Sequence, residues 1–186
     1  MAILTLLQEP DPRLRKKSLK VEKVDSEILK IMDDMLETMY HDNGIGLAAP
    51  QVDIHKRIIV IDARASLTEE ELEQTEHLYP LFMVNPEIFW YSDETISADE
   101  GCLSVPTQYI NVTRPSGIKV RYIDRNGEEK IIENDQWLAR VIQHENDHLD
   151  GKLIIDYVSK LKRDMIINKL TKLKNNEKNS TDNGVN

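Results

Sequence analysis

A His-Glu-x-x-His pattern, formed by His144 and Glu145 together with His148, lies near the C-terminal end of the chain. On a helix, positions i and i+4 share one face, so the two imidazoles can bind a single metal ion. Glu145 then lies beside that ion, where it can take a proton from water. Catalytic metals of this kind usually have three protein ligands. The pattern therefore predicts a helix here and a third ligand elsewhere in the chain.

The third ligand is hard to find downstream of the pattern. No histidine follows His148, and the only later glutamate is Glu177, in a polar stretch. Upstream, the single cysteine, Cys102, lies between strand-like segments, and a thiolate is a good ligand for zinc or ferrous iron. A lone cysteine is more often a small buried hydrophobe. Next to an incomplete two-histidine site, however, the ligand interpretation is favoured.

Composition limits the class of protein. A length of 186 residues with 40% hydrophobic residues favours one domain with a sizeable core. The longest apolar runs are short, such as Ile58–Ile61, and no signal-peptide pattern opens the chain, so we expect a cytoplasmic protein without a membrane span. A single cysteine excludes an internal disulfide and fits a reducing compartment. The net charge of −9 argues against general nucleic-acid binding.

The charge is unevenly distributed, because residues 160–178 carry seven Lys/Arg against two acidic residues, a local net charge of +5. Two interpretations are open for this segment. It is either an amphipathic helix with a solvated charged face, or a helix that contacts an RNA-rich surface.

Hydrophobic periodicity and turn residues predict a mixture of helices and hairpin strands. The Gly-rich stretch 44–51 looks like neither helix nor strand. The first half is predicted to contain a short helix after Asp11-Pro12, a helix from Asp25 or Ser26 to about Asp42, a strand over 57–62, and a short helix or loop over 66–77. Strand pieces over 81–84 and 88–91, broken at Asn85-Pro86, and a hairpin of 118–123 and 130–133 follow. The remaining predicted elements are a metal-binding helix capped by Asn134 or Asp135 and ended by Gly151, an extended segment over 153–157, and an amphipathic helix capped by Ser159 that runs to about Leu173. This order predicts an α+β fold.

Three segments, Gly44–Gln51, Glu100–Pro106 and Gln143–Gly151, resemble in order and spacing the signature motifs of peptide deformylases. These enzymes remove the formyl group from the N-terminal formylmethionine of new bacterial proteins. The similarity extends over residues 10–157. It implies a single α+β domain with antiparallel β-sheets around a central metal-binding helix and a C-terminal helix. We expect a catalytic domain over residues 1–173 and a polar, disordered tail over 174–186.

The resemblance implies that Cys102, His144 and His148 bind one divalent metal ion. Glu145 would act as general base and then as general acid. The family suggests Fe²⁺ in the cell, although Cys/His₂ ligation accepts Zn²⁺, Ni²⁺ or Co²⁺ as well.

The resemblance also assigns the groups that stabilise the oxyanion. These are the side-chain amide of Gln51 and the backbone N–H of Leu103. Gln51 ends a Gly-rich stretch whose backbone can approach a substrate closely. Leu103 follows the cysteine ligand, so its N–H is held near the metal.

An apolar pocket for methionine should lie beside the metal. Trp137 and Val141 precede His144 on one helix face and are candidates for its lining, with Ile45 from the first motif. An ordinary core role for Trp137 and Val141 is equally compatible with the pattern. Main-chain atoms of Gly44, Gly46 and residues near Leu103 are expected to bind the peptide as an added strand.

The chain departs from the commonest family pattern at Tyr109, where many members have arginine after glutamine. This difference leaves open how residues beyond methionine are held. The resemblance implies N-formylmethionyl nascent peptides as substrates and ribosome contact through the basic C-terminal helix, with no membrane or specific DNA as partner. Two alternatives are a zinc endopeptidase and a non-catalytic metal-binding relative, but binding alone requires neither Gln51 nor Glu145.

Overall fold

The structure is a computed structural model that describes residues 2–182, with side chains through Asn176. Within that range the chain forms four α-helices and seven β-strands. The helices are α1 (Ser26–His41), α2 (Glu69–Thr75), α3 (Trp137–Leu149) and α4 (Lys160–Asp182). The strands are β1 (Gly46–Ala48), β2 (Ile58–Ile61), β3 (Leu81–Tyr91), β4 (Thr95–Cys102), β5 (Val105–Pro115), β6 (Ile118–Ile123) and β7 (Glu129–Asn134). Short 3-10 helices cover Pro12–Arg15, Ala49–Val52, Arg64–Ser66, Glu76–Leu78 and Ile154–Tyr157.

The strands form two antiparallel sheets. One has five strands in the order β1-β2-β3-β6-β7, and the other is the β4–β5 hairpin. All four residues of β2 are buried, as expected for a strand covered on both faces. The predicted α+β fold in a single domain is thus confirmed.

Helix α3 lies at the centre of the molecule. At its N-terminus the Asn134 side chain accepts hydrogen bonds from the backbone N–H groups of Gln136 (3.0 Å) and Ala139 (2.9 Å), which helps to satisfy the first donors of the helix. Gly151, at φ +73°, follows its last turn. A side-chain methyl there would meet the Arg15 carbonyl oxygen at 2.4 Å, so both the turn and the close packing require glycine.

The hairpin and the C-terminal helix close the other side of α3. Val105 and Ile110 of β5 share a core with Leu7 near the N-terminus and with Ile166 and Leu170 of α4. The N-terminal segment is also tied down by its backbone. Its Leu7 N–H donates to the Gln51 carbonyl and its Glu9 N–H to the Ser104 carbonyl. The segment therefore joins the first two motifs.

Two predicted strand boundaries were wrong. The stretch expected to be neither helix nor strand contains β1 and the 3-10 helix Ala49–Val52. The two pieces expected to break at Asn85-Pro86 form the continuous strand β3, whose pairing with β6 shifts between Val84 and Glu87. Asn85 at φ +52° marks that bulge. A bulge leaves residues out of the ladder, so Pro86 is accommodated without ending the strand.

Two C-terminal predictions also differ from the structure. The expected extended segment near 153–157 is the 3-10 helix Ile154–Tyr157, and α4 continues to Asp182 instead of ending near Leu173. The Ser159 hydroxyl accepts from the Lys162 N–H, as predicted for a cap. Part of the expected tail, residues 183–186, lies outside the described range. Among the described helices, none is long and apolar enough to cross a membrane.

Candidate metal centre and active site

The end of β4 and the last two turns of α3 bring Cys102, His144 and His148 together. Their potential ligand atoms all lie within 4.8 Å of one another. Cys102 Sγ is 3.3 Å from His148 Nε2, and the two imidazole rings are 5.1 Å apart in an edge-on arrangement. The structure thus brings the three predicted ligands, which come from two separate elements, to one point.

The donor set fits a divalent transition metal, since one sulfur and two imidazole nitrogens suit zinc or ferrous iron. Burial, followed by the nearby charge of His144, lowers the pKa of His148 well below its usual value, so its lone pair is available. Burial acts against protonation of His144, but hydrogen bonds with Cys102 and Glu100 raise its pKa well above 6.5. Metal binding at His144 would therefore release a proton.

Glu100 orients the first histidine. Its Oε2 atom lies 3.0 Å from His144 Nδ1, an arrangement common for a carboxylate behind a metal-binding imidazole. Arg114 donates to the same carboxylate through Nε (2.7 Å) and Nη2 (2.9 Å), and Arg140 donates through Nη1 (2.7 Å). Burial disfavours the charged carboxylate, yet the hydrogen bonds from His144 and Arg114 hold the pKa of Glu100 at about 2. Glu100 is therefore a fixed anion that orients His144 so that its other ring nitrogen faces Cys102 and the candidate metal position.

Arg114 extends this network to the end of α3. Its Nη1 atom donates to Asp147 at 2.8 Å. The Tyr157 hydroxyl donates to the same Asp147 oxygen at 2.6 Å. Burial, then that carboxylate, raises the pKa of Tyr157 to about 12. The β4–β5 hairpin, α3 and the following 3-10 helix are thus joined by hydrogen bonds between charged and polar side chains.

Gln51 is fixed at both ends of its side-chain amide. Its Oε1 atom accepts from the Ala48 N–H at 2.8 Å, while Nε2 donates to Ser104 Oγ at 3.1 Å and lies 3.6 Å from Cys102 Sγ. The N–H₂ group therefore faces the thiol side of the site. Leu103 follows Cys102 in the turn between β4 and β5, so its backbone is held next to the same point.

Glu145 is buried beside the ligands and is 4% exposed. Its Oε2 atom has no hydrogen-bond partner among the described residues. Burial raises its pKa to about 7, which makes the carboxyl group suited to both accepting and donating a proton near neutral pH. Gly46 leaves it room, because a Cβ atom at that position would lie 2.3 Å from Glu145 Oε1.

A cavity of about 680 Å³ opens onto this cluster. That volume is in the range of small-ligand sites. The five residues predicted to bind substrate all line it, namely Gly44, Ile45, Gly46, Trp137 and Val141. Gln51, Cys102, Leu103, His144 and Glu145 line it as well. His148, in contrast, is not among these lining residues and is buried, with 2% of its surface exposed.

Two polar residues of the site were not identified from the sequence. Arg140 lines the cavity, contacts Glu100 and donates to the Val112 carbonyl at 3.0 Å and to the Ile96 carbonyl. Ser104, fully buried, holds the Gln51 amide. Arg140 lies four residues before His144, so both side chains are on one helix face. This spacing is the sequence signal from which a role for Arg140 in the site could have been predicted.

The comparisons with known proteins agree with this geometry. Residues 3–164 match the family model described as polypeptide deformylase. The chain is 52% identical to a peptide deformylase of Rickettsia canadensis over 95% of this chain and 99% of that protein. A crystal structure of peptide deformylase from Ehrlichia chaffeensis superposes with a TM-score of 0.86 at 43% identity, covering 95% of this chain and 99% of that one. A second structure from that organism, in complex with actinonin, gives 0.83 at 47% identity over 92% and 98%.

Proposed function

The chain belongs to the peptide deformylase family, and from that premise we propose that it hydrolyses the formyl group from the N-terminal formylmethionine of nascent peptides, releasing formate. The observation that carries the proposal is the buried Glu145 carboxyl group. One of its oxygens has no partner among the described residues, and it lies in the cavity beside three metal-ligating side chains. A site that only bound metal would not need such a group.

Cys102, His144 and His148 would hold one divalent metal ion, Fe²⁺ in the cell, with Zn²⁺, Ni²⁺ or Co²⁺ as substitutes. When bound, the ion supplies Lewis-acid chemistry, which polarises a carbonyl group and lowers the pKa of water. Glu100 keeps His144 in the tautomer that leaves its other nitrogen free for the ion.

Glu145 moves the proton in this mechanism. Its carboxylate takes a proton from the attacking water and then gives it to the amine of methionine as the C–N bond breaks. The oxyanion that forms on the formyl group receives hydrogen bonds from Gln51 Nε2 and from the Leu103 N–H. The Gln51 amide is held by Ala48 and Ser104 before substrate arrives, and loss of one oxyanion donor typically lowers the rate about 10²–10³-fold.

Substrate orientation depends on the cavity walls. The methionine side chain is proposed to lie against Ile45, Trp137 and Val141, which line the cavity. The peptide backbone would run along Gly44 and Gly46 as an added strand. Actinonin, which is bound in the relative from Ehrlichia chaffeensis, should compete for the same cavity.

The first prediction tests the proton carrier with Glu145→Gln, which keeps the size of the side chain and removes its basicity. Formate release from a formyl-methionyl peptide should fall by at least about 10²-fold, while metal content measured by elemental analysis persists. Equal activity in the variant would contradict the mechanism.

An assay with a formylated and an unformylated peptide of the same sequence distinguishes deformylase activity from endopeptidase activity. We expect formate from the first peptide and no internal cleavage of either. Cleavage of an internal bond in the unformylated peptide would favour the zinc endopeptidase instead.

A ribosome contact through α4 is the second part of the proposal, and it follows from the family resemblance. The exposed side of α4 carries Lys162, Lys169 and Lys172 with the apolar Met165 and Leu161, a surface that suits a polyanion. The partners are thus proposed to be formylated nascent chains and ribosomal RNA or protein, in the cytoplasm, without specific DNA.

Removal of α4 would be an ambiguous test of that contact, because Ile166 and Leu170 are buried in the core. Replacement of Lys162, Lys169 and Lys172 by glutamine leaves this packing unchanged. Sedimentation with ribosomes should weaken with rising salt and with these substitutions. Binding that is unaffected by both would contradict the contact.

A further inference from the structure

The acidic helix α2 lies against the start of the metal-binding helix α3. Five glutamates fall within residues 69–76, and four of them are exposed, as expected for a solvated helix surface. Glu71 is the exception, because it is half-buried and its Oε1 atom accepts a hydrogen bond from the backbone N–H of Trp137 at 3.2 Å. The two residues are 66 positions apart in the chain. Their contact therefore depends on the tertiary fold.

Trp137 is the first residue of α3, a position at which the backbone N–H has no partner within a helix. The Asn134 side chain caps N–H groups on either side of it, and Glu71 caps Trp137 itself. A carboxylate at this end of a helix also interacts favourably with the helix dipole. The Gln136 side chain adds a second contact, because its Nε2 atom donates to Gln74 Oε1 at 3.3 Å. Two residues of α2 thus hold the residues at which α3 begins.

Glu71 is also fixed from the side of α2. Its Oε2 atom accepts from the Thr68 backbone N–H at 2.9 Å, while its own N–H donates to Thr68 Oγ1 at 3.3 Å, so the two residues form a capping box. Chiefly the hydrogen bond from the Thr68 backbone lowers the pKa of Glu71, and burial acts in the opposite direction. Leu67 and Leu78, on either side of α2, pack against the same core cluster as Trp137. One carboxylate therefore caps the first turns of two helices.

The residue that Glu71 caps is part of the cavity wall. Trp137 lines the cavity with Val141, and Ser66, just before α2, lines it as well. Helix ends fray more readily than their interiors, so loss of the cap would move the indole. Glu145 lies eight residues further along α3, more than two turns away. The cap therefore acts on the shape of the wall and leaves the proton carrier in place.

We propose that α2 holds the start of α3 and that Glu71 is the positioning residue that keeps Trp137 in the methionine-binding wall. The inference rests on the proposed function and concerns the same site. Without the contact, Trp137 occupies positions that do not bind methionine, and the apparent affinity falls in proportion to the time spent in them. Bound substrate restores the wall, and the chemical step then proceeds at its usual rate. Glu71 should therefore affect KM and not kcat.

Glu71→Ala removes the contact, and formate release from a formyl-methionyl peptide measures the result. A hydrogen bond to a charged group corresponds to about a tenfold change in an equilibrium, so we expect KM to rise about 3- to 10-fold. The value of kcat should change little. Glu71→Gln keeps an acceptor oxygen for the Trp137 N–H and should recover most of the affinity. A formyl-alanyl peptide, whose side chain is too short to reach Trp137, should lose much less than the formyl-methionyl peptide.

Two control variants separate this contact from the stability of α2. Thr68→Ala breaks the capping box but leaves the Glu71 carboxylate able to accept from Trp137. Glu70→Ala removes an exposed charge from the same first turn of α2. Both variants should keep the wild-type KM. A rise in KM in either of them equal to that in Glu71→Ala would overturn the proposal.

Fluorescence reports the position of the indole without substrate. Trp90 and Trp137 are the two tryptophans of the chain, so Trp90→Phe leaves Trp137 as the sole tryptophan. In this background, Glu71→Ala should shift the emission to longer wavelength and increase quenching by acrylamide, and Thr68→Ala should do neither. Unchanged emission and quenching in Glu71→Ala would overturn the positioning role.

The outcomes distinguish this inference from the proposed function. An unchanged KM in Glu71→Ala, or an equal rise in KM for the formyl-methionyl and formyl-alanyl peptides, would overturn the inference and leave the deformylase activity in place. No formate from any formylated peptide with the wild-type protein would overturn the proposed function. In that case the emission of Trp137 still decides whether Glu71 holds this residue.

Discussion

At the scale of single residues, the absence of a side chain at Gly46 is as important as the carboxyl group of Glu145. The two residues come from β1 and α3, and the glutamate occupies the space that a Cβ atom on Gly46 would fill. The strand and the helix can therefore lie close together, with the Glu145 carboxyl group between them.

The second prediction concerns Gly46→Ala. The new methyl group would lie 2.3 Å from Glu145 Oε1 and 2.9 Å from its Cδ, so the carboxyl group must move. Because a misplacement of about 1 Å can cost about 10²-fold in rate, we expect kcat to fall by that factor while the melting temperature changes little. Gly117→Ala is the control, since its nearest neighbour is Asp135 Cβ at 3.3 Å. Equal kcat in Gly46→Ala and the wild type would contradict the prediction.

The sequence predicted His144, Glu145 and His148 because their chemistry is visible in local spacing, whereas Cys102 was assigned through the incomplete histidine pair and the family resemblance. Arg140 was missed for a physical reason. Its partner Glu100 is 40 positions away, and the carbonyl groups that it binds belong to two strands. Such a role depends on tertiary packing, which no short pattern contains.

At the scale of elements, the metal site is divided between a hairpin and a helix, and Arg140 connects the two. From α3 it donates to Glu100 and to the Ile96 carbonyl on β4, and to the Val112 carbonyl on β5. The separation of Cys102 from the histidines is therefore set in part by this one side chain.

The third prediction is that Arg140→Met destabilises the fold by about 2–4 kcal/mol, because the methionine keeps an apolar stem but leaves Glu100 with fewer donors and two strand carbonyls without their partner. Urea unfolding monitored by circular dichroism measures the change. Arg140→Lys should recover part of the loss. A change below about 0.5 kcal/mol in the methionine variant would show that Arg114 alone is sufficient for Glu100.

The order of elements was better predicted than their continuity. Alternating and helical periodicity identified α1, α3 and the β6–β7 hairpin, because each is a locally consistent pattern. The break expected at Pro86 did not occur, since the pairing shift in β3 places the proline where the ladder is already interrupted. Neighbouring strands, rather than local sequence, decide that outcome.

At the scale of the whole molecule, the metal would bridge two hydrophobic cores. Cys102 packs against the core that contains Ile110 and Leu170. The histidine helix contributes Leu138 and Ile142 to the core of the five-stranded sheet. An ion held by residues from both cores should stabilise the whole fold and not only the cavity.

The fourth prediction follows from binding linkage. Removal of metal by a chelator should lower the melting temperature, and excess Zn²⁺ should restore it. Free metal at about 1,000 times its dissociation constant adds about 4 kcal/mol of stability. Differential scanning calorimetry measures the shift. Cys102→Ala should lose most of it, and an unchanged midpoint in the chelated wild-type protein would contradict the prediction.

The N-terminal segment contacts both motifs and the C-terminal core. These contacts affect the order in which the protein folds during synthesis. Leu7 is synthesised well before its core partners Ile166 and Leu170. Contacts over such long sequence separations slow folding. We therefore expect the active site to be completed only after Leu170 has been synthesised, so that copies translated only through α3 remain inactive.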